Sequence, residues 1–280
     1  MASLNRQPDR RRRLMGLISR WHLDPGGDAE RQINALLDPL YAKRWLPDGH
    51  ESIDAILMGE QYHLGGAEDT RRMAQALDIT ASDRVVDLAC YIGGPARQLA
   101  REYGCAVVGV DISPVHIAVA ERLTELTGLA DRVRFVCASA DAVPEPDGSF
   151  TVAWSQCSFP EDLSWVREMD RLLAPGGRLA FTGLIKREWT RESELLSLAE
   201  MVGRVEAMGY RVMSAEDISG MDLEYGWLPA RRKLEENEAR YVGLMGEEWV
   251  DKAYASIDAD MEAWREARMG NGRVVGVKGG

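Results

Sequence analysis

Apolar positions along this chain change period twice, and the changes divide it. Up to about residue 80 they recur at helical spacing. Leu14, Leu17, Ile18 and Trp21 form one face, and Ile33, Leu36, Leu37, Leu40 and Tyr41 form another. A third helix is expected over Glu68 to Leu77. Asp24-Pro25-Gly26-Gly27 and Leu46-Pro47-Asp48-Gly49-His50 are turn signals between them. From 84 to 184, short runs of branched apolar residues alternate with amphipathic stretches. The pattern predicts strands at Arg84–Leu88, Ala106–Asp111, Val133–Val136, Phe150–Ser155 and Arg178–Leu184. Helices are expected at Ala96–Tyr103, Val115–Thr127 and Asp162–Leu173. Such alternation implies right-handed βαβ units and a mostly parallel sheet.

Beyond 184 the pattern loosens. Glu192–Met208 reads as a helix, Tyr210–Met213 as a strand, and Arg273–Lys278 as a closing strand. Between the last two lie two charged helical stretches within Ser219–Met269, carrying Tyr225, Trp227, Tyr241, Trp249, Tyr254 and Trp264. An insertion of about fifty residues exceeds ordinary loop lengths and reads as a helical cap. The expected architecture is α/β: a Rossmann-like, seven-stranded, mostly parallel sheet with helices on both faces. Its expected divisions are a helical amino-terminal lid (1–60), the core (61–218), the cap (219–269) and the core's last strand (270–280).

Composition narrows the classes. Apolar residues make up 45% of the 280, enough for a full core without disulfides or metal. The net charge of −11 repels phosphate backbones and counts against a nucleic-acid partner. The run Arg10-Arg11-Arg12-Arg13 is read as a solvated helix face. Cys90, Cys105, Cys137 and Cys157 form no C-x-x-C pair and are expected to be buried, reduced thiols, with no metal site. No apolar run approaches the ~18 residues that span a bilayer, so no membrane partner is expected. The expected location is the cytoplasm.

Candidate chemistry gathers where parallel strands end. Val85-Val86-Asp87-Leu88 runs into Gly93-Gly94-Pro95, a strand, a glycine turn and a helix start. Backbone N–H groups presented there suit a nucleotide-like ligand. Asp111 lies eighteen residues past Gly93, at the tip of the second strand. A carboxylate there can accept both ribose hydroxyls. Ser139, Ala140 and Asp141 follow the third strand and can reach a base edge. Gln156 ends the fourth. Each has an ordinary alternative: Asp111 as a helix cap, Gly93-Gly94 as a tight turn, Asp141 as a loop residue with Ser139 facing the base, Gln156 as a satisfied edge amide.

The set Val85-Val86-Asp87-Leu88, Gly93-Gly94, Val110-Asp111-Ile112-Ser113, Pro146-Asp147-Gly148-Ser149-Phe150, Trp154-Ser155-Gln156 and Leu173-Ala174-Pro175-Gly176-Gly177 resembles the class I S-adenosylmethionine-dependent methyltransferases. Within that superfamily, Gly93 to Ala100 with Tyr103-Gly104-Cys105, Ser155-Gln156 and His63-Leu64-Gly65-Gly66 resembles the glycine, sarcosine and dimethylglycine N-methyltransferases. The similarity extends to quinone and sterol methyltransferases. It implies S-adenosylmethionine as cofactor, S-adenosylhomocysteine as product, and a small-molecule methyl acceptor, an amine in the first instance. The cofactor-binding residues implied are Tyr62, Asp87, Ala89, Gly93, Asp111, Ile112, Ser139, Ala140, Asp141 and Gln156.

One departure is prominent. Where the family's first motif keeps its first two glycines, this chain has Ala89 and Tyr91. Either the Tyr91 phenol reaches over the cofactor to its carboxylate or the acceptor, or the pocket is reshaped. Positioning dominates catalysis with an activated methyl donor, and an acceptor needs a base or an orienting group. His63, Tyr91 and Gln156 are the catalytic candidates, with Tyr62 beside them. His63 is a base, an orienting group, or structural; His22, His50 and His116 lack a comparable setting. The cap's aromatics are core or a cation cage. Arg187, Arg231, Arg232 or Lys233 could hold an acceptor carboxylate. Two competing functions remain at this stage: a non-methylating reaction in the same pocket, and a non-catalytic binding module. A homodimer is compatible with the sequence.

Overall fold

The structure is a computed structural model that describes residues 59–160, 162–187 and 195–279. The lid expected over 1–60, the run Arg10 to Arg13, His22 and His50 lie outside the described residues, apart from Gly59 and Glu60.

Seven strands form one sheet: β1 (Arg84–Leu88), β2 (Ala106–Asp111), β3 (Val133–Cys137), β4 (Phe150–Ser155), β5 (Leu173–Leu184), β6 (Tyr210–Asp217) and β7 (Asn271–Lys278). Their order across the sheet is β3-β2-β1-β4-β5-β7-β6. The first five pair in parallel, and β7 runs antiparallel between β5 and β6. The order reverses between β1 and β4, which opens a crevice at the strands' carboxyl ends.

Helices cover both faces: α1 (Gly66–Ala76), α2 (Gly94–Tyr103), α3 (Pro114–Leu126), α4 (Trp165–Leu172) and α5 (Leu198–Ala207). The alternation of each strand sorts its side chains between two cores. Val85, Trp154 and Ala180 pack with Met73, Ala96 and Leu99 on one face. Val86, Leu88, Leu179 and Phe181 pack with Met169, Leu172 and Val205 on the other. Each such large side chain contributes about 1.5–3 kcal/mol on burial.

Three strands depart from the sequence expectation by two residues or more. β5 starts at Leu173, five residues early, because Leu173 already pairs with Phe150 before the Pro175-Gly176-Gly177 turn. β6 runs on to Asp217 and β7 starts at Asn271. Their pairing from Tyr210↔Lys278 to Asp217↔Gly272 is carried by backbone, beneath a polar run that reads as loop.

The stretch between β6 and β7 is not two long helices. A short turn (Ser219–Met221) leads into a π-helical segment (Asp222–Trp227), then α6 (Leu228–Glu236), α7 (Glu238–Met245) and α8 (Glu247–Arg265). Asn237 and Gly246, the latter with φ of 93°, interrupt it. Trp227, Leu234, Tyr241, Ile257, Met261 and Trp264 form a third buried cluster, so these aromatics are core and do not form an open cage. No described helix is long and apolar enough to cross a membrane.

None of the four cysteines is in a disulfide among the described residues, and Cys137, expected to be buried, is exposed. It is the last residue of β3, an edge strand with no neighbour on one side among the described residues.

Candidate active site

Asp87 and Asp111 stand at the ends of adjacent strands, β1 and β2, which pair in register from Arg84↔Ala106 to Leu88↔Val110. Asp87 is 2% exposed, and its Oδ2 has no hydrogen-bond partner among the described residues. Burial, reinforced by the nearby Asp111 charge, pushes its carboxyl up to about 8. Asp111 is held differently. Oδ2 accepts from the Tyr91 N–H at 3.0 Å, and Oδ1 accepts from the Ser113 N–H at 2.8 Å. His116 Nδ1 lies 3.1 Å from Oδ1. Three donors fix the carboxylate, and it still has acceptor capacity for a further group.

Between the two aspartates the chain turns through Ala89, with φ of 57°, and Tyr91, with φ of 50°. These are left-handed conformations that favour glycine. Both replacements therefore keep the backbone path of the glycines they stand for, and the Tyr91 N–H still reaches Asp111. The Tyr91 ring is turned aside into an aromatic row. Its centroid lies 4.8 Å from that of Tyr62 and 4.6 Å from the His116 ring. Burial pushes the Tyr91 phenol well above its usual value, so it remains neutral. Gly93, with φ of 77°, caps α2. At Gly94 a Cβ would sit 2.0 Å from the Glu60 carbonyl, so the chain entering the core crosses directly over the start of α2.

His63 and Gln156 come together in a buried network behind the site. Gln156 Oε1 accepts from Thr70 Oγ1 and Trp154 Nε1, each at 3.1 Å. Its Nε2 donates to Asp69 at 2.8 Å and lies 3.5 Å from His63 Nδ1. His63 Nδ1 donates to the Leu64 carbonyl at 2.9 Å, and Nε2 is 3.1 Å from Thr70 Oγ1. Desolvation lowers the His63 pKa against the opposing pull of Asp69, which favours neutral imidazole. Asp69 in turn pairs with Arg273 of β7 at 2.9 Å. The network ties α1, β4 and β7 together and engages both residues with protein partners.

The remaining sequence candidates fall on the same edge of the sheet. Ile112 is 67% exposed beside Asp111, an apolar side chain left in the open. Ala140 is buried, Ser139 half-buried and Asp141 exposed on the turn after β3. Two of the four acceptor-carboxylate candidates are engaged elsewhere: Arg231 pairs with Asp258 and Glu235, and Arg187 with Asp217. A depression of about 560 Å³ lined by Arg84, Arg132 and Glu145 opens at the opposite, amino edge and takes no part in the site. Among the described residues no three His, Cys, Asp or Glu side chains gather as metal ligands.

Two residues set aside or unseen in the sequence belong here. His116 is one; its spacing from Asp111, across the Ser113 cap onto the first turn of α3, is a signal that could have found it. Asp222 is the other, and nothing local marks it. It opens the π-helical segment, is fully buried, and its Oδ2 accepts from Trp264 Nε1 at 3.0 Å and Asn271 Nδ2 at 2.9 Å. Its Oδ1 has no hydrogen-bond partner among the described residues. Burial pushes this carboxyl up to about 7, against the two hydrogen bonds. Asn271 Nδ2 also approaches Cys157 Sγ, at 3.8 Å, so the cluster sits at the carboxyl ends of β4 and β5.

These residues fit the nucleoside cofactor expected from the sequence. The orphaned Asp87 oxygen, the clamped Asp111 carboxylate, the exposed Ile112 and the left-handed loop are what such a ligand requires.

Comparison with known proteins agrees. Residues 85–177 match the family model described as a methyltransferase domain. The chain is 31% identical over 193 residues to the 27-O-demethylrifamycin SV methyltransferase of Amycolatopsis mediterranei, covering 58% of this chain and 71% of that one. It is 29% identical over 223 residues to the glycine/sarcosine/dimethylglycine N-methyltransferase of Actinopolyspora halophila, covering 74% of this chain and 38% of the relative. Among solved structures, the Haemonchus contortus phosphoethanolamine N-methyltransferase 2 superposes with a TM-score of 0.75 at 19% identity, over 87% of this chain and 60% of that one. The chain spans 33% to 58% of the length of the first curated relatives it matches.

Proposed function

Because this chain belongs to the class I S-adenosylmethionine-dependent methyltransferases, we propose that it methylates a small-molecule acceptor. S-adenosylmethionine supplies an activated methyl group on a sulfonium, leaving S-adenosylhomocysteine. The observation that carries the proposal is the Asp111 carboxylate, fixed by the Tyr91 and Ser113 N–H groups beside a left-handed turn. A carboxylate so held is ready to receive a ribose diol without reorganising.

In this reading Asp111 holds the ribose, Ile112 and Ser139 flank the base, and Asp87 lies beneath the loop. Tyr62, Tyr91 and His116 wall the site and keep water out. His63 and Gln156 act as positioning residues, since the network leaves them bonded to Thr70, Asp69 and Trp154. The helices between β6 and β7 serve as the acceptor-side cap over a core of 61–218 and 270–280. Relatives named for oxygen, nitrogen and carbon acceptors all match, so an amine is one of three acceptor types that similarity supports.

Calorimetry with S-adenosylhomocysteine, followed by incubation with methyl-labelled S-adenosylmethionine and a panel of amines, alcohols and phenols, tests the proposal. Expected are binding and label transfer to at least one acceptor. Binding without transfer to any acceptor would point to a non-methylating reaction, and absence of binding would remove the cofactor site.

A further inference from the structure

We propose that Asp222 and Trp227 form the acceptor-binding pair of this site, and that the acceptor they take is an apolar small molecule bearing a hydroxyl group, an alcohol or a phenol. This rests on the methyltransferase reading and names its substrate class.

The pair is defined by what it lacks. Asp222 and Trp227 are the first and last residues of the π-helical segment, and both touch Trp264. Asp222 receives the Trp264 indole N–H on Oδ2, and the Trp227 and Trp264 rings meet edge-on with centroids 5.7 Å apart. Yet Asp222 Oδ1 and Trp227 Nε1 are both buried without a hydrogen-bond partner among the described residues. A buried polar atom left unpaired is costly, and two of opposite character both border Trp264. π-Helical turns are rare and concentrate at functional sites.

The two orphans specify the ligand. Asp222 Oδ1 needs a donor and the indole N–H needs an acceptor. A hydroxyl is both: its proton goes to the carboxylate while its oxygen takes the indole N–H. An ammonium has only donors and would leave the indole unmet. The surroundings suit an apolar body, since Leu64, Leu184, Met269 and Trp264 share the cluster. The place suits an acceptor as well. Asp111 holds one end of the carboxyl edge, over β1 and β2. Asp222 sits across the switch point, joined through Asn271 to Cys157 after β4.

The charges facing Asp222 are few. Asp69 of α1 is neutralised by Arg273, Asp217 at the end of β6 is paired with Arg187, and Cys157 faces it as a thiol held neutral by burial. No described Lys, Arg or His pairs with Asp222 itself, so the carboxyl stands near neutrality between acid and base forms. In the reaction the Asp222 carboxylate accepts the hydroxyl proton. The oxygen forms its bond to the methyl carbon, the S–CH3 bond breaks, and its electron pair returns to sulfur as the sulfonium becomes a thioether.

The test uses the whole protein labelled with ¹⁵N-tryptophan and saturated with S-adenosylhomocysteine. The Trp227 indole resonance is identified by its loss in Trp227→Phe. Cyclohexanol is expected to shift it, and cyclohexylamine, protonated at pH 7.5, is not. In Asp222→Asn, which preserves an acceptor for Trp264, cyclohexanol binding should weaken at least tenfold while S-adenosylhomocysteine affinity stays unchanged. Turnover of a hydroxyl acceptor should rise with pH through neutrality in the wild type and lose that rise in Asp222→Asn, a change that a purely structural role would not produce. An unmoved indole resonance with cyclohexanol, a larger shift with the amine, or an unaltered pH profile in Asp222→Asn would overturn the proposal. Failure of S-adenosylhomocysteine to bind would instead overturn the methyltransferase reading itself.

Discussion

Asp111 and Asp87 show how neighbouring carboxylates at strand tips are given different work. Asp111 accepts two backbone N–H groups and faces His116, so its charge is solvated by protein. Asp87 has one oxygen without a partner and is pushed toward its acid form. Asp111→Ala should weaken S-adenosylhomocysteine binding by about 1.5–3 kcal/mol, roughly ten- to a hundredfold, for loss of charge-assisted hydrogen bonds. Calorimetry at fixed pH reads this directly; unchanged affinity would remove Asp111 from the site. Ala89 and Tyr91 belong to the same argument. Residue identity made them look like a disrupted motif, whereas their positive φ angles preserve the turn and send only the Tyr91 ring elsewhere.

The entry of α2 fixes how the site is closed from above. A Cβ on Gly94 would meet the Glu60 carbonyl at 2.0 Å, backbone against backbone, with no flexible side chain to yield. Gly94→Ala should therefore destabilise the fold by about 1–3 kcal/mol and displace the Glu60–Tyr62 segment. Gly203, exposed within α5 with nothing within 4 Å of an added Cβ, makes the contrast. Gly203→Ala should stabilise by about 0.5–1 kcal/mol through helix propensity. Urea unfolding of the two variants checks both signs. The strands were legible because their buried faces repeat at period two, and β1, β2 and β4 keep the predicted bounds. The β6–β7 pairing was under-read because Arg211, Ser214 and Glu216 carry its outer positions, and its hydrogen bonds belong to backbone that sequence does not reveal.

For the molecule as a whole, buried carboxyls and a buried imidazole give stability a pH dependence with a definite sign. Asp87 and Asp222 have folded pKa values of about 8 and about 7, above the roughly 3.9 of an unfolded aspartate. Their contribution is full below pH about 4 and is lost as pH rises through 7 to 8. His63 acts oppositely: its folded pKa is lowered, so its contribution is complete only above its unfolded value of about 6.5. Between pH 6.5 and 8.5 the aspartates dominate, and the urea midpoint of the protein without ligand should fall. Asp87→Asn and Asp222→Asn should each flatten that slope, measured as midpoints at half-unit intervals.

The sequence alone determined the sheet, its candidate nucleotide-binding edge and the family, because these rest on local periodicity and on motifs of fixed spacing: Asp87, Gly93 and Asp111 lie within one βαβ unit. What joins distant segments was decided only by the fold. His63 and Gln156 are 93 residues apart, and hydrogen bonds to Thr70, Asp69 and Trp154 absorb them into a buried network. Asp222 is an unremarkable acidic residue in a charged stretch until the chain's return through β7 places Asn271 and Trp264 on one of its oxygens and leaves the other bare. Burial and hydrogen-bond satisfaction are properties of a packed neighbourhood, and that neighbourhood is assembled across β4, β7 and α8, beyond the reach of any local pattern.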